Sequence, residues 1–221
     1  MDIELLIQTF PHAYHMAHVD AWECIPRHGL LSTSALLDLF AVTEAQRYAI
    51  ECTRRSECIV LEHPAHGRVV VRDNKPMDDQ GLARALKGIT PREWYQLLNG
   101  MVFFWLTEQR LTTLLSARAY RTAEHCIITV NTRLLMERHA ERVWLCPMNS
   151  GATKPMPHPR SRDVFQRVRD YPFDYWRRKK GGATRAVAEL AVDHSVPDIM
   201  DLVERVAIHN RSGLVREVWH R

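Results

Sequence analysis

Five short apolar runs constrain this chain most: MVFFWL (101–106), HCIITV (125–130), RVWLC (142–146), RAVAELAV (185–192) and LVERVAI (202–208). None reaches the roughly 10–12 residues that a typical buried helix needs, and several are rich in β-branched or aromatic side chains. They read as strands, and with the alternating stretch YHMAHV (14–19) they predict one sheet built mainly from the later residues. Helix signals lie mostly earlier. Ser34 stands as the cap of SALLDLFAV (34–42), and Thr43 with Gln46 opens TEAQRYAIECTRR. Thr90, Pro91 and Glu93 start TPREWYQLLN, which stops at Asn99-Gly100, and Thr107 begins TEQRLTTLLSARAY. Asp20 with Glu23 forms a further capping pattern before a stop at Gly29, while VVVRD (69–73) reads as a strand. The expected class is α+β, with helices N-terminal and peripheral to the sheet.

At 221 residues, 46% hydrophobic and 25% charged, the chain suits one domain over 1–221. No run of about 18 apolar residues occurs, and the acidic start MDIELLIQTF lacks a secretory pattern, so a cytoplasmic protein with no membrane contact is expected. Five cysteines without a C-x-x-C argue against a disulfide framework or zinc ribbon. His12, His15 and His18 fall within seven residues, but a strand sends His15 and His18 to opposite faces. No carboxylate or cysteine cluster completes a site, so no metal is expected. The G-x-S-x-G elbow, P-loop and G-x-G-x-x-G are all missing, which weakens hydrolase, NTPase and Rossmann readings.

Two features resist a purely structural reading. Glu189 interrupts RAVAELAV, and an unpaired carboxylate in an apolar strand is expensive, so it lies at a solvated edge or faces a pocket that uses its charge. On period two, Val187, Glu189 and Ala191 share a face whose small residues leave room for a ligand. Charge is also uneven: residues 147–184 carry nine Lys/Arg against three Asp, more than the whole net excess of +4. Phe165, Tyr171, Phe173, Tyr175 and Trp176 interleave with that charge. Such a segment either tracks phosphates and stacks bases, or is a solvated basic face with its aromatics turned inward.

The opening YHMAHVDAWECIPRHGLLST resembles that of the DarT-type DNA ADP-ribosyltransferases, which have an H-x-x-H strand, a short helix and a G-L-L-S stop. AELAVDHSVPDI resembles their ending, an A-E-x-L-V strand followed by V-P, and VFFW resembles their aromatic strand. The three blocks keep the family's order and cover about a fifth of the chain, while CTRRSECIVLEHPAHGRVVVRDNKPM departs from its pattern.

The resemblance implies an ADP-ribosyltransferase-like split β-sheet gripping NAD as ADP-ribose donor. Glu189 would then be catalytic, with His15 or His18 on the adenosine-side ribose and Phe103 or Phe104 packing on nicotinamide. The family's active-site arginine falls on Arg54 or Arg55, with Arg110 a further choice. Asn149 would shape the acceptor side, and Arg177, Arg178, Lys179 and Lys180 would bind single-stranded DNA or RNA. The implied activity is mono-ADP-ribosyl transfer to a nucleic acid, a DNA base first, by a toxin or defence effector with a neutralising antitoxin. Transfer to protein, NAD hydrolysis, and a non-catalytic nucleic-acid-binding domain of the same fold stand as alternatives.

Overall fold

Strands whose two faces are both apolar must be covered on both sides. In a computed structural model, which describes residues 1–221, the chain does this with helices drawn from its whole length. It runs α1 (Ile3–Thr9), β1 (His12–His18), α2 (Ile25–His28), β2 (Leu30–Leu31), α3 (Thr33–Leu39) and α4 (Glu44–Glu51). A hairpin of β3 (Ile59–His63) and β4 (Gly67–Val71) follows, then α5 (Asp79–Ala85), α6 (Pro91–Asn99), β5 (Met101–Trp105) and α7 (Glu108–Leu115). Next come β6 (His125–Asn131), α8 (Thr132–His139), β7 (Val143–Cys146), β8 (Gln166–Arg167), α9 (Phe173–Lys180) and α10 (Ala183–Ala186). The chain closes with β9 (Glu189–Asp193), β10 (Ser195–Val196), α11 (Ile199–Leu202), β11 (Val203–Asn210) and β12 (Gly213–His220). No helix is long and apolar enough to cross a membrane.

The class is α+β. Eight strands form one sheet in the order β12-β11-β6-β1-β5-β9-β7-β8, with antiparallel neighbours throughout. Alternation assigns the two faces. Ala13, Phe104, Ile128, Leu190 and Val192 join the larger core with Leu6, Leu135 and Ile199 from α1, α8 and α11. Ala191 joins Trp94 and Phe165 on the other face, while Met16 and Ile127 there meet Leu111 and Leu115 of α7.

Pairing divides the sheet. β1 matches β6 over seven residue pairs and β5 matches β9 over five, but β1 and β5 share only Tyr14↔Trp105. Beyond that pair the two halves separate.

Several sequence expectations are corrected by tertiary partners. Ser32, not Ser34, caps α3: its extended backbone lets Oγ accept from the Ala35 N–H at 3.1 Å, and Ser34 instead donates to Glu51. Asp20 forms no capping box, because its backbone is helical and its carboxylate faces His18 at 3.5 Å and Arg68 at 3.7 Å. Residues 183–186 are a helical turn after Gly181-Gly182, so β9 begins at Glu189 and Val187 joins the opposite core from Ala191. Thr90 and Glu93 do form the expected reciprocal capping box, and Thr107 caps α7.

Gly29 joins the first and last sequence blocks. It has φ +79°, and a Cβ there would lie 2.6 Å from the Pro197 Cα, while Leu30 and Leu31 pair with Val196 and Ser195. Gly29→Ala should therefore destabilise the protein by about 1–3 kcal/mol through backbone strain. Urea denaturation checks this, the expected change being a lower midpoint at unchanged slope.

Candidate active site

The separation of β1 from β5 leaves backbone polar groups that the sheet would otherwise pair, and buried groups of this kind must find partners. His15 Nδ1 lies 2.8 Å from the Phe103 carbonyl oxygen, across the opening, and its ring meets Phe104 edge-on at 5.7 Å between centroids. A carbonyl only accepts, so Nδ1 carries the proton and Nε2 keeps its lone pair. Arg72, just past β4, donates from Nη1 to the Met16 carbonyl at 2.9 Å, and its guanidinium lies 4.8 Å above the Tyr120 ring. Thus the polar groups at the opening are also what makes it tolerable.

A cavity of about 370 Å³ occupies this opening, bounded by β1, β5, the β3–β4 hairpin and the loop after β7. It falls in the size range of small-molecule sites, roughly 300–1,000 Å³. His15, His18, Arg55, Phe103, Phe104, Asn149 and Glu189 all line it. Both histidines reach it, contrary to the strand-face argument, because the cavity opens along the edge of β1 and His18 is the strand's last residue. His18 is also held locally, its Nδ1 accepting from the Asp20 N–H at 3.3 Å.

Glu189 opens β9 between Trp105 of β5 and Cys146 of β7, and is only 4% exposed. Its two oxygens accept from the Ser150 N–H at 3.2 and 3.1 Å. Burial pushes its carboxyl up to about 7, against the lowering influence of Ser150, Arg110 and Arg160. Desolvation has the opposite sense for an imidazole. Burial, assisted by the charge of Arg72, brings His15 down to about 4 despite its bond to Phe103. Burial therefore favours the uncharged form of both groups in the cavity.

The arginines divide. Arg55 is buried at the cavity wall, with Nε on the Arg72 carbonyl at 2.9 Å and Nη1 on that of Ile50, and burial lowers it to about 10. Arg54 turns away and donates to the Lys75 carbonyl at 3.2 Å. Arg110 also lies off the cavity wall, reaching the Arg185 carbonyl at 3.4 Å, although its charge is felt by Glu189. Neither side chain is among those that line the cavity. Arg72 also lines the cavity, and in the sequence it is marked only by a charge closing the apolar run VVV.

The basic segment divides as well. Phe165, Tyr171 and Phe173 are core residues, Arg160 is buried, and Arg167 pairs with Asp193 at 3.2 Å while lying 3.7 Å over Trp144. Arg177, Arg178 and Lys179 are exposed on α9 beside Tyr175 and half-buried Trp176. Half-buried Lys180 donates to the Pro147 carbonyl, which ties α9 to the loop carrying Asn149 and Ser150. Between them lies a second cavity of about 250 Å³, lined in part by Tyr175, Trp176, Pro147 and Met148.

The sequence profile of a family of unknown function, DUF7002, matches residues 11–203. The chain belongs to that family. No curated protein sequence matches it. Among solved structures it is similar to DarTG of Thermosipho africanus in complex with ADP-ribose, with 12% identity and a TM-score of 0.45. That match covers 92% of this chain and 45% of the other, so this chain spans less than half the length of that relative. It is also similar to DarT of Thermus sp. 2.9 in complex with NAD+, at 13% identity and TM-score 0.41, covering 91% of this chain and 83% of that one.

The shifted carboxyl gives a stability test. A group whose pKa is raised on folding holds extra protons in the native state, so stability falls as pH rises from its unfolded value near 4.5 through about 7. Glu189→Gln removes that loss. Relative to the parent, the variant should gain up to about 3 kcal/mol between pH 4.5 and pH 8, read as the difference in urea-unfolding free energy at the two pH values. A constant difference across that range would contradict the buried-carboxyl assignment.

Proposed function

We propose that this protein is an ADP-ribosyltransferase that takes ADP-ribose from NAD and passes it to a nucleic acid, a DNA base being the favoured acceptor. The observation that carries the reading is Glu189, a 4%-exposed carboxylate sharing one cavity with His15 and Phe103. The resemblance of its first and last sequence blocks to the DarT-type enzymes supplies the chemistry to test.

In this reading the C–N bond between nicotinamide and its ribose breaks, and the bonding electrons leave with nicotinamide. The sugar carbon becomes oxocarbenium-like. A fixed carboxylate beside it stabilises that charge more than it stabilises bound NAD, which is the requirement for acceleration. A nitrogen or oxygen of the acceptor then bonds to the same carbon and loses its proton to Glu189. A carboxyl with a pKa of about 7 is suited to receive a proton near neutrality.

His15 Nε2 accepts from a ribose hydroxyl, and Phe103 or Phe104 packs on nicotinamide. Arg72 is the first choice for the pyrophosphate, because four of its five N–H groups remain after the bond to Met16. Arg55 comes second, with two groups committed to carbonyls.

The acceptor assignment rests on α9. Its exposed Arg177, Arg178 and Lys179 suit phosphates, and Tyr175 and Trp176 beside the smaller cavity suit an unpaired base. The connection of Lys180 to Pro147 puts this helix against the loop that holds Glu189. Modifying nucleic acid in its own cell would be harmful, which fits a toxin or defence effector kept in check by an antitoxin.

Incubation with labelled NAD and single-stranded DNA, RNA or protein tests the reading directly. Label is expected on DNA, while label on protein, or free ADP-ribose alone, would move the assignment to protein transfer or NAD hydrolysis. Release of no nicotinamide with any acceptor, alongside retained DNA binding, would leave a binding domain. Glu189→Gln should slow transfer by about 10²-fold or more, the size expected for loss of one such electrostatic group. His15→Ala should raise the NAD requirement more than His18→Ala does.

Replacing the exposed Arg177, Arg178 and Lys179 together by Gln should weaken DNA binding and flatten its salt dependence, with NAD binding nearly intact. Fluorescence anisotropy across a salt series reads this slope, and a slope equal to the parent's would remove α9 from the acceptor surface.

A further inference from the structure

A buried guanidinium needs a reason, since taking a charge out of water is costly unless its partners are strong. Arg160 is 2% exposed and hydrogen-bonds to no carboxylate. Its donors instead reach three carbonyls of one loop: Nη1 to Ser150 at 2.9 Å, Nη2 to Ala152 at 2.8 Å and Nε to His158 at 3.1 Å. Its backbone is fixed from the other side, its N–H donating to Ala85 at 2.9 Å and its carbonyl accepting from the Lys87 N–H at 2.9 Å. The guanidinium also lies 5.8 Å from the Trp94 ring centroid. The segment 150–158 is thus gathered around one side chain anchored to the end of α5.

The first carbonyl it holds belongs to Ser150, whose N–H supplies both hydrogen bonds to Glu189. That carbonyl lies in the peptide unit after the one carrying the Ser150 N–H, so holding it together with the Ala152 carbonyl pins the Ser150 Cα and restrains the N–H through the two backbone dihedrals of Ser150. We propose that Arg160 is a positioning residue for the reaction: by clamping the Ser150–Ala152 turn it aims the Ser150 N–H at the Glu189 carboxylate and fixes how that carboxylate faces the cavity. This rests on the ADP-ribosyltransferase reading for its consequence in rate, but not for its consequence at Glu189 itself.

The charged and titratable groups around Glu189 are few. Arg110 of α7 and Arg160 favour its anion, and the Cys146 thiol of β7 is held neutral by its burial. A planar fork is required to bridge separate carbonyls, which a lysine ammonium does not reproduce, and a methionine fills similar space without donors or charge. Arg160→Met therefore removes the clamp and one of two favourable charges. Arg160→Lys removes the fork and keeps the charge.

The test uses the full chain carrying 13C-labelled glutamate, with the Glu189 carboxyl assigned by Glu189→Gln and titrated by NMR. In the parent, the Ser150 amide should titrate with the same midpoint as Glu189. In Arg160→Met the Glu189 midpoint should rise by about one pH unit, the scale of effect of one nearby opposite charge, and Arg160→Lys should shift it less. If NAD turns over, kcat for nicotinamide release should fall by about 10–100-fold in Arg160→Met, with KM for NAD within about threefold and the acid limb of the rate moved up in step. A folded Arg160→Met with an unmoved Glu189 midpoint overturns the proposal. Should that variant not fold, a parent Ser150 amide that ignores Glu189 ionisation does so equally. An NMR shift without any NAD turnover would sustain the clamp and defeat the ADP-ribosyltransferase reading instead.

Discussion

Everything in the site depends on the sheet being joined between its halves by one residue pair, Tyr14↔Trp105. A fully zipped β1–β5 ladder would have satisfied the backbone with no side chains at all and left no cavity. Once the strands part, an imidazole and a guanidinium take over, His15 for the Phe103 carbonyl and Arg72 for that of Met16. Each such bond contributes only about 1 kcal/mol net, but leaving the carbonyl buried and unpaired would cost more, about 1–3 kcal/mol. The residues that keep the opening stable and the residues that face its contents are consequently the same ones.

This explains which parts of the fold were legible in the sequence. The central strands β1, β5, β6, β7, β9 and β11 were, because a short apolar run has few alternatives once helix length is excluded, whereas β12 and β3, whose exposed faces break up the apolar pattern, were not. The boxed cap at Thr90 was, because all its partners lie within four residues. The errors fell where two local solutions compete and a distant group decides between them. Ser32 and Ser34 are both plausible caps, and Ser34 is claimed by Glu51, seventeen residues away. Asp20 is drawn off by Arg68 of the hairpin. Ala183–Ala186 could extend β9, but Gly181 and Gly182, with φ of 71° and 157°, turn the chain first.

The same logic separates the site residues. Glu189 was legible because a carboxylate inside an apolar run must be explained, and His15 through the resemblance of its H-x-x-H strand; both line the cavity. The arginines were not, since an arginine on a helix end or loop looks the same in sequence whether it faces solvent, a carbonyl or a ligand. Arg54 and Arg55 are adjacent and point to different places, one to Lys75 and the other to the cavity wall. In the sequence Arg72 only ends a strand and Arg160 only adds to the charge of a basic segment. Their roles exist only through carbonyls contributed by other parts of the chain.

Burial acts on the two key titratable groups in opposite directions, and this sets how the cavity responds to pH. His15, near 4, stays neutral down to acidity that would protonate it in the unfolded chain, so its burial favours folding progressively as pH rises from about 4 to 6.5. Glu189 has the opposite slope from about 4.5 to 7. The two groups therefore oppose one another in the mildly acidic range. Ionised Glu189 is costly because it is buried, and Ser150, Arg110 and Arg160 offset part of that cost by favouring the anion.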